Sequence, residues 1–430
     1  MTTTPPHRQF DRLPSLSGLR WFAALLVFTT HFVHLELSKG SPLQDVLDTV
    51  LTRTGLAGVS AFFLLSGFVL TWSARPSDTV RSFLRRRFAR VYPSHLLVAG
   101  LAALLMAGGG LLPGPKPILA NLLLVQSWSP SQTYSLSLNP VTWSLSCEVF
   151  FYLVFPLVIG AMNRARTSSL QIFTGASFLA TLVLPAIVGR LFTVAHPPAK
   201  ELVDTSVYGG PFTGWFANVF PGMRLLEFLA GVSIAILVRR RAWPRIPAGW
   251  AFAILAAGYA NELWLDGYLQ LVGGVEIPVA ILIASLAQAD LAGSWSPVRG
   301  RRAAKLGELT YAFYLVHFLV LIGLGSTVKP LAVALGATAD RDAPVPVWLL
   351  LAAYLVLLAV ALGLGWAVHR GVEQPMMRVL TRGRRKTATG TGRTELVPLR
   401  VDTTAVSGGA AGTGATGTGP EREKPAPIGI

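Results

Sequence analysis

The chain has 430 residues, of which 13% are charged and 52% hydrophobic, and its mean hydropathy is +0.53. Soluble domains carry about a quarter charged residues, so this charge cannot cover the surface that two or three soluble domains would expose. A soluble protein is thereby excluded, and the expected fold is an all-α, polytopic membrane helix bundle. The net charge of +16, from 37 basic and 21 acidic residues, falls between apolar blocks. It reads as topology, and no nucleic acid partner is expected. Cys147 is the single cysteine, which excludes an intrachain disulfide, a CxxC redox pair and a cysteine-rich zinc site, so no metal is expected. No cleavable signal peptide is expected either, because the first apolar block lacks a small-residue cleavage site and continues into further spans.

Residues 1–12, with Pro5 and Pro6, read as a short loose arm. A helix needs about 20 apolar residues to cross the hydrocarbon core. That measure predicts spans at Leu16–Leu35, Leu56–Trp72, Tyr92–Leu112, Glu148–Met162 and Leu170–Phe192. It predicts further spans at Asn218–Val238, Ala248–Leu265, Leu269–Ala289, Leu306–Gly325 and Val347–Val368, about ten transmembrane helices in all. Ionisable groups within them are costly unless they meet a cavity or a partner, so each one marks a candidate site.

The first span holds Arg20 and His31. Their separation comes within about 20° of three full turns and rises about 16 Å, which puts both on one helix face. Either Arg20 snorkels to lipid phosphates while His31 anchors at the outer interface, or the two form a site. Ahead of the third span, RSFLRRRFARVYP crowds arginines against the membrane. Arg86 and Arg90, at i, i+4, stack on one face, and with Arg87 they suit phosphate contacts. The positive-inside rule would also place arginines there. Ile118–Val125 is apolar but too short to cross, and reads as interfacial or re-entrant.

The fourth span opens with TWSLSCEVFFYLVFP, carrying Trp143, Ser146 and Glu148. Glu148 either meets a base or water inside the protein, or faces water beside an aromatic belt. In the sixth span Arg224 and Glu227 lie three residues apart and can neutralise each other, so a structural ion pair is the leading reading. The ninth holds Glu308 and a mid-span His317, for which packing leads over proton relay. Alternate connections are basic: Arg75–Arg90, Arg164 with Arg166, Arg239–Arg245 and Arg299–Lys305. The positive-inside rule then places both termini in the cytoplasm. Residues 13–380 form the expected membrane domain. Residues 384–430, rich in Gly, Thr, Ala and Pro, form a tail expected to stay disordered.

These motifs in this order resemble acyltransferase family 3, integral-membrane O-acyltransferases of the cell membrane. The resemblance is carried by Arg20 and His31, GVSAFFLLSGFVLTW, FLRRRFARVYP, TWSLSCEVFFYLVFP, RLLEFLAG, LTYAFYLVHF and HRGVEQP. It covers about Leu13 to Arg378. The family often has two adjacent glutamates where this chain has Glu148 and Val149. The resemblance implies transfer of an acyl group, acetyl by expectation, from acyl-coenzyme A to a hydroxyl of a sugar, glycan or secondary metabolite, with no further cofactor. It makes Arg20 and His31 the leading catalytic pair, His31 as general base. Glu148 is then expected to orient His31 or stabilise its charged form, and Arg86, Arg87 and Arg90 to grip donor phosphates. Trp143, Ser146, Arg224 and Glu227 are left as acceptor contacts or structural residues. A proton-coupled transporter is the alternative, although the matched halves common among transporters are not seen.

Overall fold

The computed structural model describes residues 13–36, 42–75, 78–192, 211–262, 264, 274–340, 343 and 345–381. The arm over 1–12 and the tail over 384–430 lie outside them. Among the described residues all regular structure is helical. This is what a bilayer demands, since lipid offers no partner to a backbone N–H or C=O.

The helices are α1 (Pro14–Glu36), α2 (Pro42–Ser73), α3 (Val80–Gly108), a short α4 (Pro115–Leu122), α5 (Trp143–Arg164) and α6 (Thr167–Phe192). They continue with α7 (Pro211–Asn218), α8 (Pro221–Arg239), α9 (Ala248–Glu262), α10 (Glu276–Ala292), α11 (Arg301–Leu324) and α12 (Val328–Ala334). The last are α13 (Val347–Val368) and α14 (Gln374–Thr381). Eight segments built on them are long and apolar enough to cross a membrane. The expected seventh and eighth spans are present as the shorter helices α9 and α10, of 15 and 17 residues.

The exterior is apolar and the interior holds the polar groups. Leu157 is 78% exposed and Ile172 72%, while Arg224, Glu227, Glu276 and His317 are buried. A soluble fold would reverse this arrangement. The α1 helix packs against α2 and α11, α2 against α8, and α11 against α13. At the α2–α8 crossing a Cβ on Gly67 would stand 1.9 Å from the Phe228 carbonyl oxygen, and one on Gly231 2.1 Å from that of Leu64. Only glycine allows the backbones this close, the device by which membrane helices pack without a hydrophobic driving force. Gly231→Ala is therefore expected to force α2 and α8 apart and to cost roughly 1–3 kcal/mol, as overpacking does. Thermal unfolding in detergent should show it as a clear downward shift, and an unchanged transition would contradict the crossing.

The basic connections gather at one end of the bundle. Arg239 donates to the Thr71 and Trp72 carbonyls at the C-terminus of α2, at 2.8 and 2.7 Å. Arg240 donates to Asn163 and Ala165 at the end of α5. There Asp290, held by Arg299 at 2.7 Å, also accepts the Ser15 N–H at the start of α1. Helix ends leave carbonyls and N–H groups without intrahelical partners, so these charged side chains serve as caps as well as topology signals.

In the segment 115–142 the polar residues Asn121, Gln126, Ser137, Asn139 and Thr142 are buried, while Leu119, Leu123 and Val125 are exposed. His95, about 22 Å along α3, donates from Nε2 to the Asn121 carbonyl at 3.0 Å. The Asn121 amide in turn reaches Ser137 and Thr142, and Asn139 donates to the Leu315 carbonyl of α11 at 2.8 Å. Irregular backbone at this depth is tolerated only when protein satisfies it. The α4 helix and its return thus pack beside α3 and α11.

Candidate active site

Arg20 and His31 sit on one uninterrupted helix, and each meets a different environment. Arg20 lines a cavity of about 130 Å³ between α1, α2, α3, α5 and α11, together with Arg87, Arg90, Glu148 and Tyr152. Three guanidinium groups thus surround one carboxylate. Arg20 makes no hydrogen bond or ion pair with a described residue. Arg87 lies over the rings of Phe83 and Tyr152, at 5.5 and 6.0 Å, and its buried Nε has no partner among the described residues. The Arg90 Nε stands 3.6 Å from Glu373. That carboxylate also takes the His369 ring at 2.9 Å, where the helix after α13 widens into a π-bulge. The positive charge exceeds what the cavity's own carboxylate neutralises, so the cavity suits an anion or a strongly polar group. The Arg90 side chain is 34% exposed, which opens the cavity toward the arginine-rich end of the bundle.

Two of the expected residues are placed differently from the expected arrangement. Arg86 does not share the cavity with Arg90. It bonds Asp78 at 2.8 Å and Ser82 at 3.1 Å on the outer side of α3. The pair that faces inward is Arg87 with Arg90, at i, i+3, because the neighbouring helices bury that flank of α3. Glu148 does not orient His31 either. It lies on α5 in the cavity with Arg20 and accepts the Tyr152 hydroxyl at 2.8 Å.

The partner of His31 is His317 of α11. Its Nε2 stands 3.2 Å from His31 Nδ1, and its own Nδ1 is 2.7 Å from the Tyr314 carbonyl oxygen. Aromatic rings fix both imidazoles, with Phe318 edge-on to His31 at 5.2 Å and Phe313 stacked on His317 at 5.9 Å. His31 is half-buried, whereas His317 is fully buried. Tyr314 separates the two environments. Its ring lines the arginine cavity and also lies 5.5 Å from the His317 ring, with the hydroxyl held by Ser144 at 2.9 Å. In the sequence His317 reads as packing over proton relay, and Tyr314 is not singled out. The available signal was a histidine in the middle of an apolar run.

The remaining candidates are framework. Arg224 and Glu227 form a fully buried ion pair at 2.5 Å, outside the cavity. Arg224 also donates to Asn218 and Ser60 to Glu227, while Glu276 of α10 lies within hydrogen-bonding reach of Glu227 and takes the Thr181 hydroxyl at 2.8 Å. The network ties α2, α6, α8 and α10 together. Trp143 packs edge-on to Phe63, and Ser146 is buried without a hydrogen-bond partner among the described residues. Cys147 is buried and donates its thiol to the Val219 carbonyl, a packing role. The described residues hold no group of His, Cys, Asp or Glu able to bind a metal ion.

Comparison with known proteins identifies the family. The model of an acyltransferase domain matches residues 13–370. An acyltransferase of Streptomyces mycarofaciens, MdmB, is 37% identical over 87% of this chain and 94% of its own length. The exopolysaccharide production protein ExoZ of Rhizobium meliloti is 30% identical over 79% of this chain and 94% of its own. A putative peptidoglycan O-acetyltransferase of Bacillus subtilis, YrhL, is 25% identical over 72% of this chain and 49% of its own. No solved structure matches the chain. A chain matched over nearly its whole membrane bundle, with a polar interior built around Arg20 and His31, belongs to acyltransferase family 3 and is a multi-pass membrane O-acyltransferase.

Proposed function

We propose that the protein moves an acyl group, acetyl in the simplest case, from acyl-coenzyme A to a hydroxyl of a sugar, glycan or secondary metabolite. The observation that carries this reading is the cavity in which Arg20, Arg87 and Arg90 outnumber Glu148, next to the His31–His317 pair. Charge-assisted contacts from guanidinium to phosphate are among the strongest a protein offers. A cavity of about 130 Å³ is smaller than the roughly 300–1,000 Å³ of a site for a whole small molecule, which favours entry of only the acyl end of the donor. The nucleotide end of the donor would stay at the mouth near Arg90, with its acyl end inward past Tyr314.

In this reading both termini face the cytoplasm, with the donor on the same side. His31 lies about 16 Å further along α1 than Arg20, toward the opposite surface, where a hydroxyl arriving from outside or from the outer leaflet can reach it. His31 takes the hydroxyl proton as the oxygen attacks the thioester carbon, while Arg20 lies on the donor side, toward the phosphate-bearing arm. The acyl–sulfur bond then breaks, and the proton passes to the thiolate to give free coenzyme A. Membership of an acyltransferase family favours this enzyme over a proton-coupled transporter. The names of relatives tied to exopolysaccharide and peptidoglycan favour a carbohydrate acceptor.

The test uses sealed vesicles carrying a protease-cleavable tag after Lys386, with radiolabelled acetyl-coenzyme A supplied to one face. Release of coenzyme A should require the donor on the face where the tag is cleaved. Release from the opposite face alone would reverse the assignment, and absence of acceptor-dependent release from either face would refute the donor.

A further inference from the structure

We infer that His317 is the positioning residue that fixes the tautomer and ring orientation of His31 and holds the charge His31 gains during transfer. The inference rests on the reading of His31 as the base. It starts from a carbonyl oxygen, which can only accept. The Tyr314 carbonyl lies 2.7 Å from His317 Nδ1, so that nitrogen carries the hydrogen. A second hydrogen on Nε2 would make His317 a cation, caged by Phe28, Phe313 and Tyr314 with no carboxylate paired to it among the described residues. Burying an unpaired charge is far more costly than burying a neutral ring. The Nε2 of His317 is therefore a lone-pair acceptor, and the 3.2 Å contact with His31 Nδ1 has one polarity. His31 donates from Nδ1, which leaves its Nε2 as the lone pair that faces substrate.

The Val27 carbonyl, one turn back on α1, is a second acceptor near His31. Being on the same helix, it cannot fix α1 against α11. His317 can. When His31 takes the hydroxyl proton on Nε2, its Nδ1–H bond to His317 becomes charge-assisted, and such bonds are roughly twice as strong as neutral ones. Serine hydrolases give this task to an aspartate. Here a neutral imidazole does it, which spares the membrane interior a buried carboxylate beside the base. The partner lies 286 residues away in the chain, so the pair also forms only when α1 and α11 are docked.

Three variants of the full-length protein and one spectrum test this. His317→Leu should lower kcat roughly 10–100-fold, the worth of a charge-assisted bond, with KM for donor and acceptor within about threefold of wild type. His317→Gln, whose amide oxygen can accept from His31, should recover most of kcat. A loss confined to KM, or equal kcat for the Leu and Gln variants, would overturn the positioning role. His31→Ala separates the two claims. If it retains kcat, the base is misassigned. If it is inactive while His317→Leu keeps wild-type kcat, only the role of His317 fails. Nitrogen-15 histidine spectra of wild-type protein in detergent should show His31 and His317 both protonated at Nδ1, assigned by loss of each signal in the corresponding variant. A His31 protonated at Nε2 would overturn the inference whether or not His317→Leu folds.

Discussion

His31→Ala should abolish transfer, with a loss of roughly 10²-fold or more in kcat for removal of a general base. The same variant should bind acyl-coenzyme A nearly as wild type does, because His31 lies outside the cavity lined by Arg20, Arg87 and Arg90. Folding should also be little disturbed. His31 is half-buried, and its removal leaves His317 still bonded through Nδ1 to the Tyr314 carbonyl. Steady-state transfer assays beside equilibrium donor binding would show the separation. Transfer within about threefold of wild type would assign the base elsewhere. Weakened donor binding in parallel with lost transfer would mean that the two environments are one site, contrary to the position of Tyr314 between them.

Replacing Arg87 and Arg90 together by alanine should raise the apparent donor requirement at least about tenfold, given roughly 1.5–3 kcal/mol for each hydrogen bond to a charged group. Arg86→Ala should leave it unchanged, since Arg86 is engaged with Asp78 and Ser82 outside the cavity. The contrast between adjacent arginines is the informative part. Topology alone depends on the number of positive charges in the loop and treats the three residues alike. A cavity distinguishes them by helix face. Donor titrations of the two proteins, normalised to expressed and folded protein, read this directly, and equal effects from both would reduce the arginines to topology signals. Loss of Arg90 also frees Glu373, whose second partner His369 remains in place, so the bulge after α13 should persist.

Much of this molecule was legible along the chain. Apolar runs of about 20 residues become helices wherever lipid is the solvent, because no other open structure satisfies the backbone. Arg20 and His31 fall on one helix face by arithmetic on 3.6 residues per turn. Arg224 and Glu227 could be paired for the same reason, since a contact three residues apart is local. The arginines ahead of the third span were visible as a group, but helical periodicity alone could not say which flank of α3 would be covered. The packing of α2, α5 and α11 chose Arg87 and Arg90.

What the sequence by itself determined is therefore the set of helices, the basic connections and the polar residues each helix carries, all properties of a window of a few turns. Tertiary structure alone decided which polar residues meet. It set His317 against His31, turned Glu148 away from His31 into the cavity with Arg20, and brought Glu276 to the Arg224–Glu227 pair. Within a membrane a buried polar group is costly without a partner, yet helical periodicity fixes only the face on which it waits. Helices hundreds of residues apart choose the partner when they dock. The close crossings permitted by glycines such as Gly67 and Gly231 set the distance at which they do so.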